Sequence, residues 1–231
     1  MKIEADKLKK FIKKTTLDAL AYTCLLEFTD EGLKTKVVIN NVAMIKGVLN
    51  KNAFIEYESI GEVGIKSVSV FSSMLDYFTG KQIKLSIEDN KLKIVSESGS
   101  SYFVLCEKTF VENYMEKEPS LAFDEGFELS NERLNKIKKA CDILHCSEAT
   151  FEVINNKLVL SVINDVKDEI KEETTVAYHD ARSRYGELML KAVGMISNNA
   201  RVSFNNDYPL RLHEVDAEGT ITYIIAPLSE D

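Results

Sequence analysis

The sequence has few prolines, no tryptophan and no long apolar run. Only three prolines occur in 231 residues, so long disordered linkers are not expected. No stretch approaches the roughly 20 apolar residues that span a bilayer. The start Met1-Lys2-Ile3-Glu4 lacks the apolar segment of a secretion signal. These absences predict a globular, soluble, intracellular protein without membrane association.

Sequence signatures of catalysis are also missing. There is no glycine-rich phosphate loop ending in Lys-Ser or Lys-Thr, no Gly-x-Ser-x-Gly and no His-Glu-x-x-His. Segments 141–146, 179–183 and 165–173 contain residue types found in metal sites, catalytic triads and cation sites, respectively. A structural or solvated role is the more usual one for each segment. The sequence therefore predicts no enzyme, no cofactor and no metal.

Cysteine content and net charge narrow the function classes further. The four cysteines stand in apolar contexts, which is typical of reduced core thiols: Cys24, Cys106, Cys141 and Cys146. Lysine and arginine number 29 against 37 acidic residues, so the net charge is −8. This balance argues against a protein coated in nucleic acid, although it leaves room for one positive face.

One pattern recurs four times along the chain: a helix, a strand, a polar turn and a second strand. The helices are predicted at 8–20, 70–78, 130–144 and 185–196, and the strand pairs at 25–28 and 33–38, 83–87 and 92–95, 150–153 and 158–162, and 200–204 and 209–212. Ser130 is the expected N-cap of the third helix. Residues 6–11 resemble residues 132–137, which lie 126 positions later, and this likeness indicates a tandem duplication.

The duplication predicts an α+β fold of two similar domains. Strands joined by Asx and Gly turns indicate antiparallel sheets, with two helices on one face of the sheets in each domain. We place the N-terminal domain at 1–115 and the C-terminal domain at 127–231. The connector at 116–126 carries a proline, a glycine and charges without clear periodicity.

The predicted helices carry a concentration of lysines. At about 100° per residue, Leu8, Phe11 and Ile12 share one side of the first helix and its lysines fan over the other side. The basic residues expected on or beside the helix faces are Lys7, Lys9, Lys10, Lys13, Lys14, Lys81, Lys136, Lys138, Lys139, Arg184 and Lys191. A solvated surface explains a single such helix. Recurrence on related helices favours a surface that contacts phosphates without reading bases.

The C-terminal part of the chain has a recognisable order of motifs. Tyr208-Pro209-Leu210-Arg211-Leu212 is followed by a turn at Gly219, an aromatic and apolar strand, Ala226-Pro227 and an acidic tail at 229–231. Further motifs are Leu17-Asp18-Ala19-Leu20, Glu31-Gly32-Leu33, Phe54-Ile55-Glu56-Tyr57 and Tyr185-Gly186-Glu187-Leu188. Together with the fourfold repeat, this order resembles the sliding clamps typified by proliferating cell nuclear antigen (PCNA) over essentially the whole chain.

The resemblance implies a DNA-clamp fold whose subunits form a head-to-tail ring of three around duplex DNA. The helices would line the central hole, and the sheets would form the outer surface. One edge strand of each subunit would pair with an edge strand of the next, since exposed edges are otherwise a liability. The implied interface residues are Tyr102, Val104 and Cys106 on one side and Thr174, Val176 and Tyr178 on the other.

The resemblance also implies that partner proteins dock short peptides into an apolar pocket under the connector. Polymerases, clamp loaders, ligases and nucleases are the expected partners. The implied pocket residues are Val38, Val42, Ala43, Leu121, Phe123, Pro209, Ile225, Ala226 and Pro227. The loop 39–44 lacks the Asp-Ser-Ser-His-like sequence common in eukaryotic members, and the second helix has fewer lysines than the family pattern.

The function that the resemblance implies is that of a non-enzymatic processivity factor for a DNA polymerase, acting in replication and repair. A homotrimer is expected. The alternatives are a monomeric clamp-like processivity subunit and one member of a heterotrimeric ring. The implied location is the nucleus in a eukaryote, or the cytoplasm and nucleoid for a prokaryotic or viral protein.

Overall fold

The computed structural model describes residues 1–115 and 117–229. Glu116, at the predicted start of the connector, and Glu230 and Asp231, at the end of the predicted acidic tail, lie outside the described residues. The chain divides into two compact units at Glu118 and Pro119, within the predicted connector. The first unit also includes Asp216–Ile221, a stretch that the sequence-based boundaries assign to the C-terminal domain.

The first unit contains two antiparallel sheets and two helices. In chain order its elements are β1 (Lys2–Glu4), α1 (Ala5–Thr15), β2 (Cys24–Thr29), β3 (Gly32–Ile39), β4 (Ala43–Asn50), β5 (Gly61–Ile65), α2 (Val68–Asp76), β6 (Gln82–Glu88), β7 (Lys91–Ser96) and β8 (Gly99–Val104). The strand orders are β1-β6-β7-β8 and β5-β2-β3-β4. Short 3-10 turns lie at Lys51–Ala53 and Lys108–Phe110.

The second unit repeats this plan. Its elements are β9 (Phe127–Leu129), α3 (Asn131–Leu144), β10 (Ala149–Ile154), β11 (Lys157–Ile163), β12 (Glu169–Thr175), β13 (Ala181–Tyr185), α4 (Glu187–Met195), β14 (Ala200–Ser203) and β15 (Leu210–Val215). The last strand, β16 (Gly219–Ile225), begins in the first unit and ends in the second. The strand order β12-β11-β10-β13 corresponds to β4-β3-β2-β5, and β9-β14-β15 corresponds to β1-β6-β7. The predicted α+β class and the tandem duplication are confirmed.

Local turn chemistry accounts for the hairpins. Three of them turn through a pair of Asx residues with positive φ: Asn40 and Asn41, Asp89 and Asn90, and Asn155 and Asn156. Two successive left-handed residues match the right-handed twist of antiparallel strands, and Asn and Asp tolerate that conformation best after glycine. The second and third pairs lie in turns of predicted hairpins, whereas Asn40 and Asn41 join β3 to β4, a strand outside the predicted strand pairs.

The first helix is shorter than predicted. It ends at Thr15 and does not extend to Leu20, because Leu17, Asp18 and Ala19 all adopt positive φ, which a right-handed helix excludes. The hydroxyls of Thr15 and Thr16 donate to carbonyls of the last turn, and the Asp18 amide donates to the Lys13 carbonyl at 2.8 Å. These bonds satisfy the carbonyl groups that a helix end leaves free.

The other helix ends follow the sequence more closely. The Ser130 hydroxyl accepts a hydrogen bond from the Arg133 amide, so the predicted N-cap of α3 is confirmed. His145 closes that helix in the left-handed conformation. The fourth helix begins at Glu187, two residues later than predicted, because Tyr185 is the fully buried last residue of β13.

Candidate nucleic-acid interface and sheet edges

The first helix presents lysines, but acidic neighbours engage several of them. Lys7 lies 2.9 Å from Glu218, and this hydrogen bond raises the pKa of Lys7. Lys9 pairs with Asp76, at the end of α2, and Lys13 lies 3.6 Å from Asp18. Lys10 is exposed and has no ion pair among residues 1–115 and 117–229. The exposed side of α1 is therefore less positive than a count of its lysines suggests.

The predicted outward position of Lys14 is wrong. Its side chain is buried, with 6% of the residue exposed. The final turn of α1 is enclosed on more of its circumference than the apolar pattern indicated, since Phe11, Ile12 and Thr15 are buried beside Lys14. Gly47 on β4 allows this strand and the end of α1 to pack closely, because a Cβ at position 47 would lie 2.4 Å from the Thr15 methyl carbon. Lys14 is not available to a ligand on the helix surface.

Among the helix lysines described in the second unit, those without an acidic partner lie on α3. Lys138 and Lys139 are exposed and form no ion pair with any residue that the structure describes. Lys136 lies 3.2 Å from Glu172, Lys191 lies 3.1 Å from Glu187, and Arg184 lies 3.6 Å from Glu148. In the first unit, Lys81 follows α2 and donates to the Ser98 hydroxyl at 2.6 Å.

Two strands lie at the ends of their sheets, as the interface prediction requires. The order β1-β6-β7-β8 ends at β8, and the order β12-β11-β10-β13 begins at β12. Tyr102 and Val104 are exposed on β8, and Thr174 is half-buried on β12. Within the described part of the chain, no strand pairs with the outer side of β8 or of β12.

Three predicted interface residues are held within their own unit. The Cys106 amide donates to the Gly64 carbonyl at 3.0 Å, so its backbone pairs with β5 and lies beyond the end of β8. Val176 is buried, and its amide donates to the Asn156 carbonyl. The Tyr178 hydroxyl donates to the Phe204 carbonyl, and its ring packs against Phe127 with centroids 5.1 Å apart. The structure does not place these three side chains on a free edge.

Exposed apolar side chains on or next to the helices beside these edges were not among the predicted interface residues. Tyr77, 69% exposed, follows α2, which packs on β8 through Phe71 and Phe103 with ring centroids 5.3 Å apart. Ile143, 67% exposed, lies on α3, which Arg133 links to Glu172 of β12 at 2.8 Å. A large apolar residue on the polar side of an amphipathic helix is the signal that identifies such positions.

The residues of the predicted peptide pocket differ widely in exposure. In the first unit, Val42 is exposed at the tip of the β3–β4 hairpin, Val38 is half-buried and Ala43 is buried. In the second unit, Leu121, Phe123, Pro209, Ala226 and Pro227 are half-buried. Ile225 has only 1% of its surface exposed. Ala43 and Ile225 therefore belong to the packed interior and offer no surface to a peptide.

Phe123 in the second unit is held by two contacts. Its ring lies edge-on to Tyr208 with centroids 5.6 Å apart, and the Arg211 guanidinium lies 5.0 Å from the ring centroid. The Tyr208 hydroxyl also accepts a hydrogen bond from the Ala122 amide at 3.0 Å. Phe123 is thereby an aromatic side chain that is held by neighbouring residues and is half-buried.

No protein-family model matches the sequence, and no curated protein matches it. Solved structures do match. A. fulgidus PCNA bound to the C-terminal region of FEN-1 has a TM-score of 0.84 at 21% identity, over 100% of this chain and 98% of that one. PCNA from Entamoeba histolytica has a TM-score of 0.82 at 17% identity, over 99% and 98% of the two chains. The chain has the PCNA fold.

A further PCNA-fold match comes from an assembly of two different clamp chains. The PCNA2–PCNA3 complex of Sulfolobus tokodaii has a TM-score of 0.77 at 22% identity, and the match covers 100% of both chains. All of these identities are low, so the PCNA fold is shared without close sequence likeness. None of the helices in residues 1–115 and 117–229 is long and apolar enough to cross a membrane.

Within this PCNA fold, the polar clusters and the cysteines have structural contacts. His179 lies 3.2 Å from Asp124, and Asp180 accepts a hydrogen bond from the Asn155 amide. Ser183, the third residue of the candidate triad, is buried. Burial raises the pKa of the Cys24 thiol to about 12 and that of Cys141 to about 11. These two cysteines are protonated core thiols, as the sequence predicts.

Proposed function

We propose that this protein is a DNA sliding clamp: a ring that encircles duplex DNA, raises the processivity of a DNA polymerase and recruits replication and repair proteins. The observation that carries the proposal is the match to PCNA structures over the entire chain, with a TM-score of 0.84 for one of them. A clamp acts by topology, so the proposal requires no catalytic residue and no cofactor.

DNA contact is proposed for the helix faces of both units. On the helices of the described chain, Lys10, Lys138 and Lys139 are exposed and form no ion pair, and the ion-paired lysines around them add to the same faces. Surface ion pairs contribute only about 0–1 kcal/mol each, so phosphates can compete for these lysines. Flexible ammonium groups on smooth helix faces contact the backbone and carry no base readout. The proposed binding is therefore independent of sequence and weakened by salt.

Ring closure is proposed through β8 of one protomer and β12 of the next. The internal duplication supports this pairing. In the first unit, β4 has residues 216–221 beside it, and the Asn50 amide donates to the Glu218 carbonyl at 2.8 Å. In the described chain β12, the counterpart of β4, has no such neighbour. Pairing β12 with β8 would satisfy both edges by a head-to-tail contact that closes into a ring.

Apolar side chains would support the paired edges. Tyr77 lies at the end of the helix that packs on β8, and Ile143 lies on the helix linked to β12. Both are more than two-thirds exposed in the single chain. Aromatic and aliphatic residues buried at the centre of an interface contribute most of its binding energy. We therefore assign Tyr77 and Ile143 to the proposed interface in place of Cys106, Val176 and Tyr178.

Partner recruitment is proposed through short peptides that contact accessible apolar residues. The candidate contacts in the second unit are Leu121, Phe123, Pro209, Ala226 and Pro227, and those in the first unit are Val38 and Val42. One matching structure is of A. fulgidus PCNA bound to the C-terminal region of FEN-1, which supports peptide binding as a property of this fold. Polymerase, clamp loader, ligase and nuclease are the proposed partner classes.

A ring built from different chains is one alternative to the homotrimer. A matching structure holds PCNA2 with PCNA3, which supports a ring built from different chains. Light scattering over a range of concentrations separates these cases. A homotrimer has a mass of about 78 kDa, three times the chain mass of 26.1 kDa. A mass near 26 kDa at all concentrations favours a heteromeric ring or a monomeric processivity subunit.

The functional test is DNA synthesis on primed circular DNA with the polymerase and clamp loader of the same organism. Addition of this protein should lengthen the products made in a single binding event. Cutting the circle after loading should release the protein, because a topological link is lost at a free end. Unchanged product length together with stable retention on linear DNA would contradict a sliding clamp.

A further inference from the structure

Two lysines face each other across the first pair of strands. In the antiparallel pairing of β1 with β6, Lys2 lies directly opposite Lys84. Their neighbours Ile3, Ile83 and Leu85 are buried, so both lysines project from the opposite face of the sheet. Like charges at directly opposed positions destabilise a sheet. This arrangement therefore costs stability unless an anion compensates it.

These lysines line a cleft with a third lysine and two hydroxyl groups. The cleft has a volume of about 730 Å³, and its polar lining includes Lys2, Lys81, Lys84, Ser96, Glu97 and Ser98. Lys81 donates to the Ser98 hydroxyl at 2.6 Å, and the Ser96 and Ser98 hydroxyls are 2.9 Å apart. Three ammonium groups thus face one lining carboxylate.

Glu56 stands opposite Lys2 on the other side of β1, in an antiparallel backbone bridge, but its carboxylate forms no ion pair with either lysine of the opposed pair. Neither Lys2 nor Lys84 forms an ion pair with any residue in the described part of the chain. Lys36 and Lys46 form a similar opposed pair between β3 and β4, and there the Glu118 carboxylate contacts both. The same unit therefore supplies a counter-ion for one lysine pair and not for the other.

The tandem duplication gives an internal comparison. β9 and β14 of the second unit are the counterparts of β1 and β6, and there Glu128 lies directly opposite Arg201. The corresponding cleft is lined by Glu128, Glu132, Arg201 and His213, so acidic residues balance the basic ones. Opposite charges at this pair of positions fit the fold equally well. The fold therefore does not require the excess positive charge of the first cleft, which comes from the residues that this unit has at these positions.

We propose that the cleft formed by Lys2, Lys81, Lys84, Ser96 and Ser98 binds a phosphate group. A phosphate offers several strong acceptor oxygens, which matches ammonium and hydroxyl donors that converge from separate strands and a loop. The volume lies within the range of small-ligand sites. The phosphate can belong to a free phosphorylated compound or to a nucleic-acid strand.

The site is separate from the proposed DNA-contacting faces of the helices. The buried face of this sheet packs on α2 through Phe103 and Phe71, whereas Lys2 and Lys84 project from the other face. Lys81 belongs to both sets of residues, so the test uses Lys2 and Lys84 alone. Reversal of charge at Lys10 and Lys139 should leave phosphate binding at the cleft unchanged, which keeps this inference distinguishable from the proposed function.

The first experiment measures Tm against inorganic phosphate concentration at constant ionic strength, with chloride as the balancing anion. The wild type should gain about 3 °C or more once phosphate is well above Kd. Lys2→Gln and Lys84→Gln should lose this gain, and without phosphate they should unfold at the same or a higher temperature, because repulsion is removed. Lys91→Gln, an exposed lysine on β7 outside the cleft, is the matched control and should respond like the wild type.

The second experiment identifies the source of the phosphate. The wild type and Lys84→Gln are each titrated with two ligands. Phosphorus NMR follows the binding of pyrophosphate, and fluorescence follows the binding of a labelled ten-nucleotide single strand. A loss of about tenfold or more in affinity for pyrophosphate alone supports a free phosphorylated ligand, and the same loss for the strand supports nucleic acid. Equal phosphate responses in the wild type and Lys84→Gln would overturn the proposal. So would binding of a poly-glutamate peptide without binding of either phosphate ligand.

Discussion

The Glu118 carboxylate lies 3.5 Å from the Lys36 ammonium group. It also contacts Lys46, which stands directly opposite Lys36 on the neighbouring strand. The hydrogen bond from Lys46 is the main reason that the pKa of Glu118 lies below its usual value, and burial opposes the shift. Because Glu118 ends the main segment of the first unit, this contact anchors the start of the connector on β3 and β4.

Glu118→Gln should lower the free energy of unfolding by up to about 1 kcal/mol at pH 7, because two opposed lysines lose their counter-ion. The pKa of Glu118 is lowered by folding, so its contribution is present above the ordinary glutamate pKa and is lost as pH falls through the folded-state value. Urea unfolding at several pH values measures this. The deficit should disappear in acid, and Glu58→Gln, at an exposed carboxylate, should show none.

Lys10→Glu combined with Lys139→Glu should impair loading and processivity, because both cations are exposed and uncompensated. Loss of two phosphate contacts should reduce the slope of log affinity against log salt by about two for linear duplex DNA. Circular dichroism and light scattering should show unchanged fold and mass. The control is Lys91→Glu with Lys167→Glu, two exposed lysines outside the helices. An equal loss in the control would remove α1 and α3 from the DNA-contacting role.

Ile143→Asp should dissociate the proposed ring. Burying a carboxylate at an apolar interface position should weaken each contact by about 2 kcal/mol or more, which is about 30-fold in Kd. Light scattering at micromolar concentration should then report a mass near that of one chain, 26.1 kDa, with unchanged circular dichroism. Val215→Asp, also exposed in the single chain, is the control. A trimeric Ile143→Asp protein would place the interface elsewhere.

Phe123→Ala should weaken the binding of partner peptides, because it removes the aromatic ring that Tyr208 and Arg211 hold in place. With a FEN-1 C-terminal peptide as the probe, fluorescence anisotropy should report a loss of about tenfold. Mass and DNA loading should not change. Tyr22→Ala removes a different exposed aromatic residue and should keep full peptide affinity, whereas equal affinities in all three proteins would assign the peptide site to other residues.

Replacing each of two glycines by alanine should change the free energy of unfolding in opposite directions. At Gly47 a Cβ would lie 2.4 Å from Thr15 and 2.9 Å from Phe11, so Gly47→Ala should destabilise by about 1–3 kcal/mol through overpacking. At Gly194 on α4 the neighbour is the mobile end of Lys138, at 3.3 Å. Gly194→Ala should stabilise by about 0.5–1 kcal/mol through helix propensity. Urea unfolding tests both, and a neutral Gly47→Ala would contradict the tight packing of α1 on β4.

The features that the sequence predicted correctly depend on neighbouring residues. The N-cap at Ser130 requires only the amide of Arg133, three residues later. The hairpin at Asn155 and Asn156 requires two residues that tolerate positive φ. The duplication was visible because each unit repeats its own local pattern of helix and strands. Such short-range preferences are encoded within a few residues, so reading along the chain recovers them.

The features that only the tertiary structure decided depend on residues far apart in the chain. Lys14 is buried in the final turn of α1, whose Thr15 and Phe11 pack against Gly47 of β4, and Lys7 is paired with Glu218 from the last part of the chain. Tyr178 is held by Phe127 and by the Phe204 carbonyl. The helical period assigns one side of a helix to solvent, but packing between distant segments determines which of those side chains remain accessible.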